Sequence, residues 1–164
     1  MSTVSLLLLL LTAAPVKETK SADPKVTIAA VLDDWHQAAA KADEARYFSH
    51  FTPDAIYLGT DATERWTRDE FRAWARPYFS KGEAWKFKAV SRHITLSKDG
   101  AVAWFDEMLD TPNLGPSRGS GVLVKDGATW KIAQYHLSVP IPNDIVEEVV
   151  KRIQTHEAKG APKK

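Results

Sequence analysis

The chain has 164 residues, of which 44% are hydrophobic and 26% charged, and its formal net charge is +1. This length predicts one globular domain with a real core, and near-neutrality argues against a nucleic acid or an anionic membrane as partner, since phosphate binding usually needs a basic excess. The absence of cysteine excludes disulfides, thiol nucleophiles, thiolate metal sites and lipoprotein attachment.

The first 22 residues have the pattern of an export signal followed by a polar linker. Leu6 to Leu11 form an apolar run that is too short to span a bilayer as a helix, which needs about 20 residues. We therefore predict that residues 1–22 are a signal peptide or leader with linker, and that the protein is exported (periplasmic or secreted) and free of the membrane after leader removal. An uncleaved anchor and a misassigned start codon are the alternatives. Residues 23–156 are then the folded domain, and the basic residues 157–164 a flexible tail.

Helix signals dominate the first half of the folded part. Asp23-Pro24 supplies an N-cap and a first-turn proline, Pro53 stops a helix, and Thr67-Arg68-Asp69-Glu70 matches a capping box. Apolar residues recur at three- and four-residue steps behind these starts. We predict helices from Pro24 to about Lys41, from Asp43 through Phe51, and from Thr67 to near Lys81.

The second half of the chain has the pattern of an antiparallel meander with glycine-containing turns. A short strand at residues 55–58 precedes it. Pro140 and Pro142 end the sheet, and Asn143-Asp144 caps a last helix from Ile145 to about His156. The predicted long strands are 84–97, 101–110, 118–124 and 129–139.

Several segments between Pro24 and Glu148 together carry a family resemblance: PDAIYLGTDATERW, TRDEFRAW, AWFDE, RGSGVLVKDG, TWKIAQYHLS and IPND. They resemble the SnoaL-like domains of the nuclear transport factor 2-like superfamily. The resemblance implies an α+β fold with a cone-shaped, curved antiparallel sheet wrapped around N-terminal helices, a C-terminal helix, a pocket between sheet and helices, and a homodimer formed through the sheet. Members include steroid isomerases, polyketide cyclases, epoxide hydrolases, dehydratases and non-catalytic scaffolds, so the fold alone assigns no function. The general-base carboxylate of the steroid isomerases falls at about Gly59 here, which argues against their chemistry.

The last strand carries the strongest functional pattern. Alternation of side chains places Trp130, Ile132, Gln134, His136 and Ser138 on one face. A stripe that ends in Gln, His and Ser predicts the wall of a pocket, with His136 as a general base or hydrogen-bond donor. The alternative is a structural histidine in a polar seam of the core.

Asp106 and Glu107 are adjacent, so they lie on opposite faces of a strand and only one can point inward. We predict that Asp106 points inward, interacts with His136 or Arg118, and is the second catalytic candidate. The alternative is an ion pair between one carboxylate and Arg118 or Arg92 of a neighbouring strand.

The remaining predicted substrate contacts are aromatic or polar side chains near the same pocket. They are Tyr57, Trp66, Trp85, His93, Trp104, Arg118, Trp130, Gln134 and Ser138. Of the other histidines, His36, His50 and His156 are expected at helix margins or in solvent. No pair of histidines has the short spacing of a metal site, and no glycine-rich phosphate loop is present, so neither a metal nor a cofactor is expected.

These observations favour binding of a small, mostly apolar organic molecule in a cone-shaped pocket. Cofactor-free proton-transfer catalysis of the isomerase, cyclase or dehydratase type would extend this function. Two alternatives stay open: a ligand carrier without turnover, and a dimeric interaction module whose cavity is filled by its own side chains.

Overall fold

The structure is a computed structural model that describes residues 23–160, so the predicted leader lies outside the described residues. Along these residues, helices come first, a sheet follows, and a helix ends the chain. No helix in this range is long and apolar enough to cross a membrane. The elements are α1 (Pro24–Ala40), α2 (Glu44–Ser49), β1 (Phe51–Leu58), β2 (Arg65–Thr67), α3 (Arg68–Ser80), β3 (Lys88–Leu96), β4 (Val102–Thr111), β5 (Gly115–Asp126), β6 (Thr129–Ser138) and α4 (Val146–Ala158).

The starts of α1 and α3 are confirmed at the level of their caps. The Asp23 carboxylate accepts a hydrogen bond from the Lys25 backbone N–H at 2.9 Å. In the capping box, the Thr67 backbone N–H donates to Glu70 at 2.8 Å, and the Glu70 N–H donates back to the Thr67 hydroxyl. The prediction for α2 is wrong at its end, because the chain is already extended at Phe51 and continues as β1 through the proline.

The six strands form one curved, unclosed sheet in the order β2-β1-β6-β5-β4-β3. The predicted α+β arrangement of helices, curved sheet and C-terminal helix is confirmed. One pairing differs from the prediction: β1 runs parallel to β6, with Leu58 opposite His136, whereas the other neighbours are antiparallel. The sheet is therefore mixed. The hydrophobic pattern of a strand does not reveal this, since the first strand can pair with the last in either direction.

A β-bulge in β6 sets which side chains face the helices. Ile132 lies opposite Leu123 of β5, but Gln134 lies opposite Val122, so Ala133 is an extra residue. An extra residue shifts a two-residue alternation by one and exchanges the two faces beyond it. The face of the sheet that α1 covers, which we call the inner face, therefore carries Trp130 and Ile132 before the bulge and Tyr135 and Leu137 after it.

The core fills the space between this inner face and α1 to α3. Ile28, Leu32 and Trp35 of α1 are fully buried, as are Leu109 and Tyr135 of the sheet. Burying an aliphatic or phenylalanine side chain contributes about 1.5–3 kcal/mol, so this interface supplies much of the stability of the fold. The opposite, outer face of the sheet stays open to solvent.

The last helix, α4, has no buried residue. Its first residue is preceded by Ile145, whose side chain makes no capping hydrogen bond, so the predicted Asn143-Asp144 cap is wrong. Apolar side chains on it, including Val150 and Ile153, stay exposed.

Candidate functional site

A cavity of about 600 Å³ opens between α3, the ends of β1 and β6, the segment 82–87 and the turn between β4 and β5. This volume is in the range of small-molecule sites. We call it the aromatic cavity because seven aromatic side chains line it: Tyr57, Trp66, Phe71, Trp74, Tyr78, Trp85 and Phe87.

The rings of the aromatic cavity pack against one another as a continuous wall. Tyr57 stacks on Phe71 with 3.8 Å between ring centroids, and Trp66 stacks on Trp74 at 5.1 Å. Trp85 lies 6.4 Å from Trp74. Packing against neighbouring rings restricts the motion of the rings in this wall.

Three of the sequence-predicted contacts are brought together in this cavity. Tyr57 at the end of β1, Trp66 of β2 and Trp85 before β3 all line it. Trp130 does not, because it is buried in the hydrophobic core on the inner face. The predicted contacts that line the cavity thus come from β1, β2 and the segment before β3, and none of them comes from β6.

The other predicted site residues lie on the outer face of the sheet, so the expectation that they point into a pocket is wrong. The bulges in β3 and β6 exchange the faces of these strands, and on β4 the inward stripe is the one that contains Glu107. No residue of this group lines the aromatic cavity. The group is His93, Trp104, Asp106, Arg118, Gln134, His136 and Ser138.

His136 and Asp106, the predicted catalytic pair, are not in contact. Register places His93 opposite Asp106, Asp106 opposite Ser120, and Ser120 opposite His136. Two strand spacings, about 10 Å, therefore separate the imidazole-bearing residue from the carboxylate. Both side chains are exposed, which removes the water-poor surroundings that the catalytic prediction required.

The inner face instead contains a buried network of charged groups around Glu107. Glu107 of β4 is fully buried, and its two carboxylate oxygens contact His36 Nε2 and Arg92 Nε, each at 2.7 Å. Arg92 also donates to Asp33 of α1 at 2.8 Å. The alternative in which one carboxylate pairs with an arginine of the next strand is thus the observed one, with Glu107 and Arg92 as partners.

Glu107 is held in its ionised form by these partners. Burial by itself would raise the pKa of Glu107, but the hydrogen bonds and charges of His36 and Arg92 outweigh it and lower the pKa. An ionised carboxylate only accepts hydrogen bonds, so His36 donates from Nε2, and its Nδ1 is left buried without a partner in the described chain.

His36 is the residue that sequence reasoning missed. It was expected at a helix margin, yet it is 5% exposed. A signal was present: His36 lies four residues after Leu32 and eight after Ile28, both apolar, so it shares their face of α1. Its ring packs 6.0 Å from Phe87, which lines the aromatic cavity, so the Glu107 network lies directly behind the cavity wall.

Three tyrosine hydroxyls near the inner end of the cavity stay protonated. Burial raises the pKa of Tyr47, Tyr57 and Tyr135, and the charges of Glu64 and Glu107 add to this effect at Tyr57 and Tyr135 respectively. The hydroxyls of Tyr47 and Tyr135 are buried with no hydrogen-bond partner in residues 23–160. These groups can therefore donate hydrogen bonds at neutral pH, whereas they cannot act as bases.

A carboxylate stands at the opening of the cavity. Glu64 lines it together with Tyr57, and its charge contributes to the raised pKa of that tyrosine, after burial. The loop before β2 fixes Glu64, since the Asp61 backbone N–H donates to Glu64 Oε2 at 3.1 Å. In the described part of the chain, no cluster of three His, Asp or Glu residues could hold a metal ion.

Comparison with known proteins agrees with this architecture. A family model described as a SnoaL-like domain matches residues 28–142. None of the curated proteins matches the chain.

Solved structures provide the second comparison. A "putative dehydratase from the NTF2-like family" of Streptomyces avermitilis has 13% identity and a TM-score of 0.62, covering 73% of this chain and 97% of the other. A "putative aromatic ring hydroxylase" of Novosphingobium aromaticivorans has 14% identity and a TM-score of 0.61, covering 73% and 90%. A "putative calcium/calmodulin dependent protein kinase II association domain" of Xanthomonas campestris has 20% identity and a TM-score of 0.55, covering 82% and 99%. At these identities the likeness shows the fold alone.

Proposed function

The chain belongs to the SnoaL-like domain family, and from this premise we propose that it binds a compact, mostly apolar organic molecule in the aromatic cavity. The observation that carries the proposal is the cavity itself: about 600 Å³ lined by seven aromatic rings. Ligand pockets are typically concave, largely apolar and supplied with a few polar groups that fix orientation. The space is open rather than filled by the protein's own side chains, which favours a ligand-binding domain over a purely structural one.

The polar groups of the cavity extend the proposal to proton transfer. Glu64 is an acceptor and Tyr57 a neutral donor; both line the cavity, and the charge of Glu64 contributes, after burial, to the raised pKa of Tyr57. Cofactor-free isomerase, cyclase or dehydratase chemistry needs a base and an acid within reach of the bound ligand. This assignment replaces His136 and Asp106, which lie on the exposed outer face. A structural neighbour named as a dehydratase is compatible with such chemistry in this fold.

Titration with a neutral aromatic probe, 1-naphthol, tests the binding proposal. We expect saturable binding by calorimetry and a raised melting temperature. Leu114→Trp, which adds bulk at the exposed edge of the cavity, should weaken binding about tenfold to a hundredfold, as overpacking of 1–3 kcal/mol implies. Val150→Trp on α4, away from the cavity, is the matched control and should bind like wild type. Absence of saturable binding of this probe by the wild type would count against the binding proposal and favour the interaction-module alternative.

We also propose that the outer face of the sheet joins two copies of the chain. Trp104 is 49% exposed there and Val90 70%, and large apolar side chains left open on a sheet face mark interaction surfaces. Light scattering should give the mass of a dimer, and Trp104→Asp should give a monomer. Val150→Asp, which places the same charge on the exposed apolar side of α4, should leave the dimer intact. Dissociation by Val150→Asp alone would assign the interface to α4 instead.

A further inference from the structure

The opening of the aromatic cavity presents a carboxylate in a fixed position. Glu64 closes a small loop in which the Gly59 N–H donates to the Glu64 carbonyl at 2.8 Å and the Glu64 N–H donates to the Asp61 carbonyl at 2.9 Å. Its side chain folds back over Gly59, where a Cβ atom would collide with the Glu64 carboxylate. The side chain is thus positioned by the backbone of its own loop, and one carboxylate oxygen is bound to the Asp61 N–H.

The walls next to this carboxylate are the side chains that best attract a cation. The ring centroid of Trp74 lies 5.1 Å from that of Trp66 and 6.4 Å from that of Trp85. Tyr57 lies 6.2 Å from Trp66, and Tyr78 lies 5.1 Å from Trp74. The face of an indole ring is the strongest aromatic partner for an ammonium group, followed by tyrosine and phenylalanine.

The charges of the lining favour a cation as well. Glu64 and Glu83 are negative, and Lys86 is the single positive side chain among the described lining residues. Glu83 and Lys86 are both exposed, so solvent screens both of them, and the partly buried Glu64 dominates the charge of the lining. The Tyr57 hydroxyl stays protonated because burial, and then the charge of Glu64, raises its pKa, so it adds no negative charge to the lining.

We infer that the ligand of the aromatic cavity carries a tertiary or quaternary ammonium group on its apolar body, with the charge facing Glu64 and the alkyl groups contacting Trp66 and Trp74. This inference rests on the proposed function and names the ligand class of the same cavity. A primary ammonium has three N–H donors that need acceptors, and this lining is mostly aromatic. An alkylated ammonium has few or no N–H groups and is attracted by carboxylate and ring faces alone.

Two ligands of equal shape test the inference. Phenyltrimethylammonium and tert-butylbenzene differ by one positive charge at the same position, and binding of each is measured by calorimetry and by tryptophan fluorescence. We expect the cation to bind about tenfold more tightly than the hydrocarbon. Glu64→Gln, which keeps an oxygen for the Asp61 N–H, should remove most of the difference in affinity between the two probes. Asp126→Asn, at the last residue of β5, removes the same charge outside the lining of the cavity and should leave both affinities unchanged.

The outcomes separate the two proposals. Equal binding of both probes, or a cation preference that survives in Glu64→Gln, would overturn the ammonium inference while the binding function stands. Failure of both probes and of 1-naphthol to bind the wild type would overturn the binding function and the inference with it. Melting temperatures of the two variants confirm that each is folded.

Discussion

Replacement of Glu107 by alanine is expected to lower the free energy of unfolding by about 3–5 kcal/mol, the cost of breaking a buried ion pair by removing one partner. Glu107 is fully buried and bonded to both His36 and Arg92. The Arg92 side chain is only 10% exposed. Without the Glu107 carboxylate, its guanidinium loses the buried anion and retains the ion pair with the exposed Asp33. Urea unfolding followed by tryptophan fluorescence measures the loss.

The neighbouring residue provides a stringent control. Asp106 is exposed on the outer face, so Asp106→Ala should change the free energy of unfolding by no more than about 0.5 kcal/mol. The two variants remove adjacent carboxylates from one strand and differ only in the face affected. Equal losses, or a larger loss for Asp106→Ala, would contradict the assignment of Glu107 to the inner face.

The effect of Glu107 has a defined dependence on pH. Burial opposes the ionisation of Glu107, but His36 and Arg92 lower its pKa in the folded state. The charge of Glu107 therefore stabilises the fold fully above the unfolded-state pKa of about 4.3, and this stabilisation is lost as the pH falls through the lower folded-state pKa. The difference in stability between wild type and Glu107→Gln should therefore be complete at neutral pH and shrink in acid below about pH 4. A difference that stays constant would mean that Glu107 acts through packing rather than charge.

The helices and the architecture were within reach of sequence reasoning because their signals are local. The Asp23 cap and the capping box at Thr67 satisfy backbone donors within three residues, and such chemistry can be read without knowing what packs on the helix. The parallel pairing of β1 with β6 is not local: strands far apart in the sequence meet there, and neither carries a mark of its direction.

Of the predicted contacts, only three aromatic residues between positions 57 and 85 line the aromatic cavity. They are Tyr57, Trp66 and Trp85. Large aromatic rings pack against other apolar side chains, so their burial could be predicted without knowing which face of the strand points inward. His136 and Gln134 were misplaced because strict alternation was extended across β6, where one extra residue at Ala133 exchanges the faces. A bulge at an alanine has no strong sequence signal.

The choice between Asp106 and Glu107 shows a different limit. Both stripes of β4 mix aromatic, acidic and aliphatic side chains, so periodicity alone cannot choose between them. The deciding partner, His36, comes from a helix about seventy residues earlier. A buried carboxylate requires compensation from such distant groups, and that compensation is visible only once the helix lies on the sheet.

Gly121→Ala is expected to lower the free energy of unfolding by about 1–3 kcal/mol, the usual cost of overpacking a filled site. A Cβ atom at Gly121 of β5 would collide with the backbone carbonyl of Gln134 and lie 2.9 Å from the Phe105 ring. Backbone cannot move aside as a flexible side chain can, so the strain outweighs the smaller gain of about 0.4–1 kcal/mol from restricting the unfolded chain. Urea unfolding measures the loss, with Ser120→Ala, its partly buried neighbour on the other face, as the control that should be near neutral.

This variant tests the face assignment on which the functional argument depends. The Gln134 carbonyl meets Gly121 because the bulge at Ala133 shifts the register of β6 against β5. The same shift turns His136 outward. If β6 instead alternated without interruption, the close approach to the Gln134 carbonyl would vanish, only the contact with the Phe105 ring would remain, and Gly121→Ala would be better tolerated. Wild-type stability of Gly121→Ala would contradict this register and with it the outward orientation of His136, whereas the expected loss would agree with both.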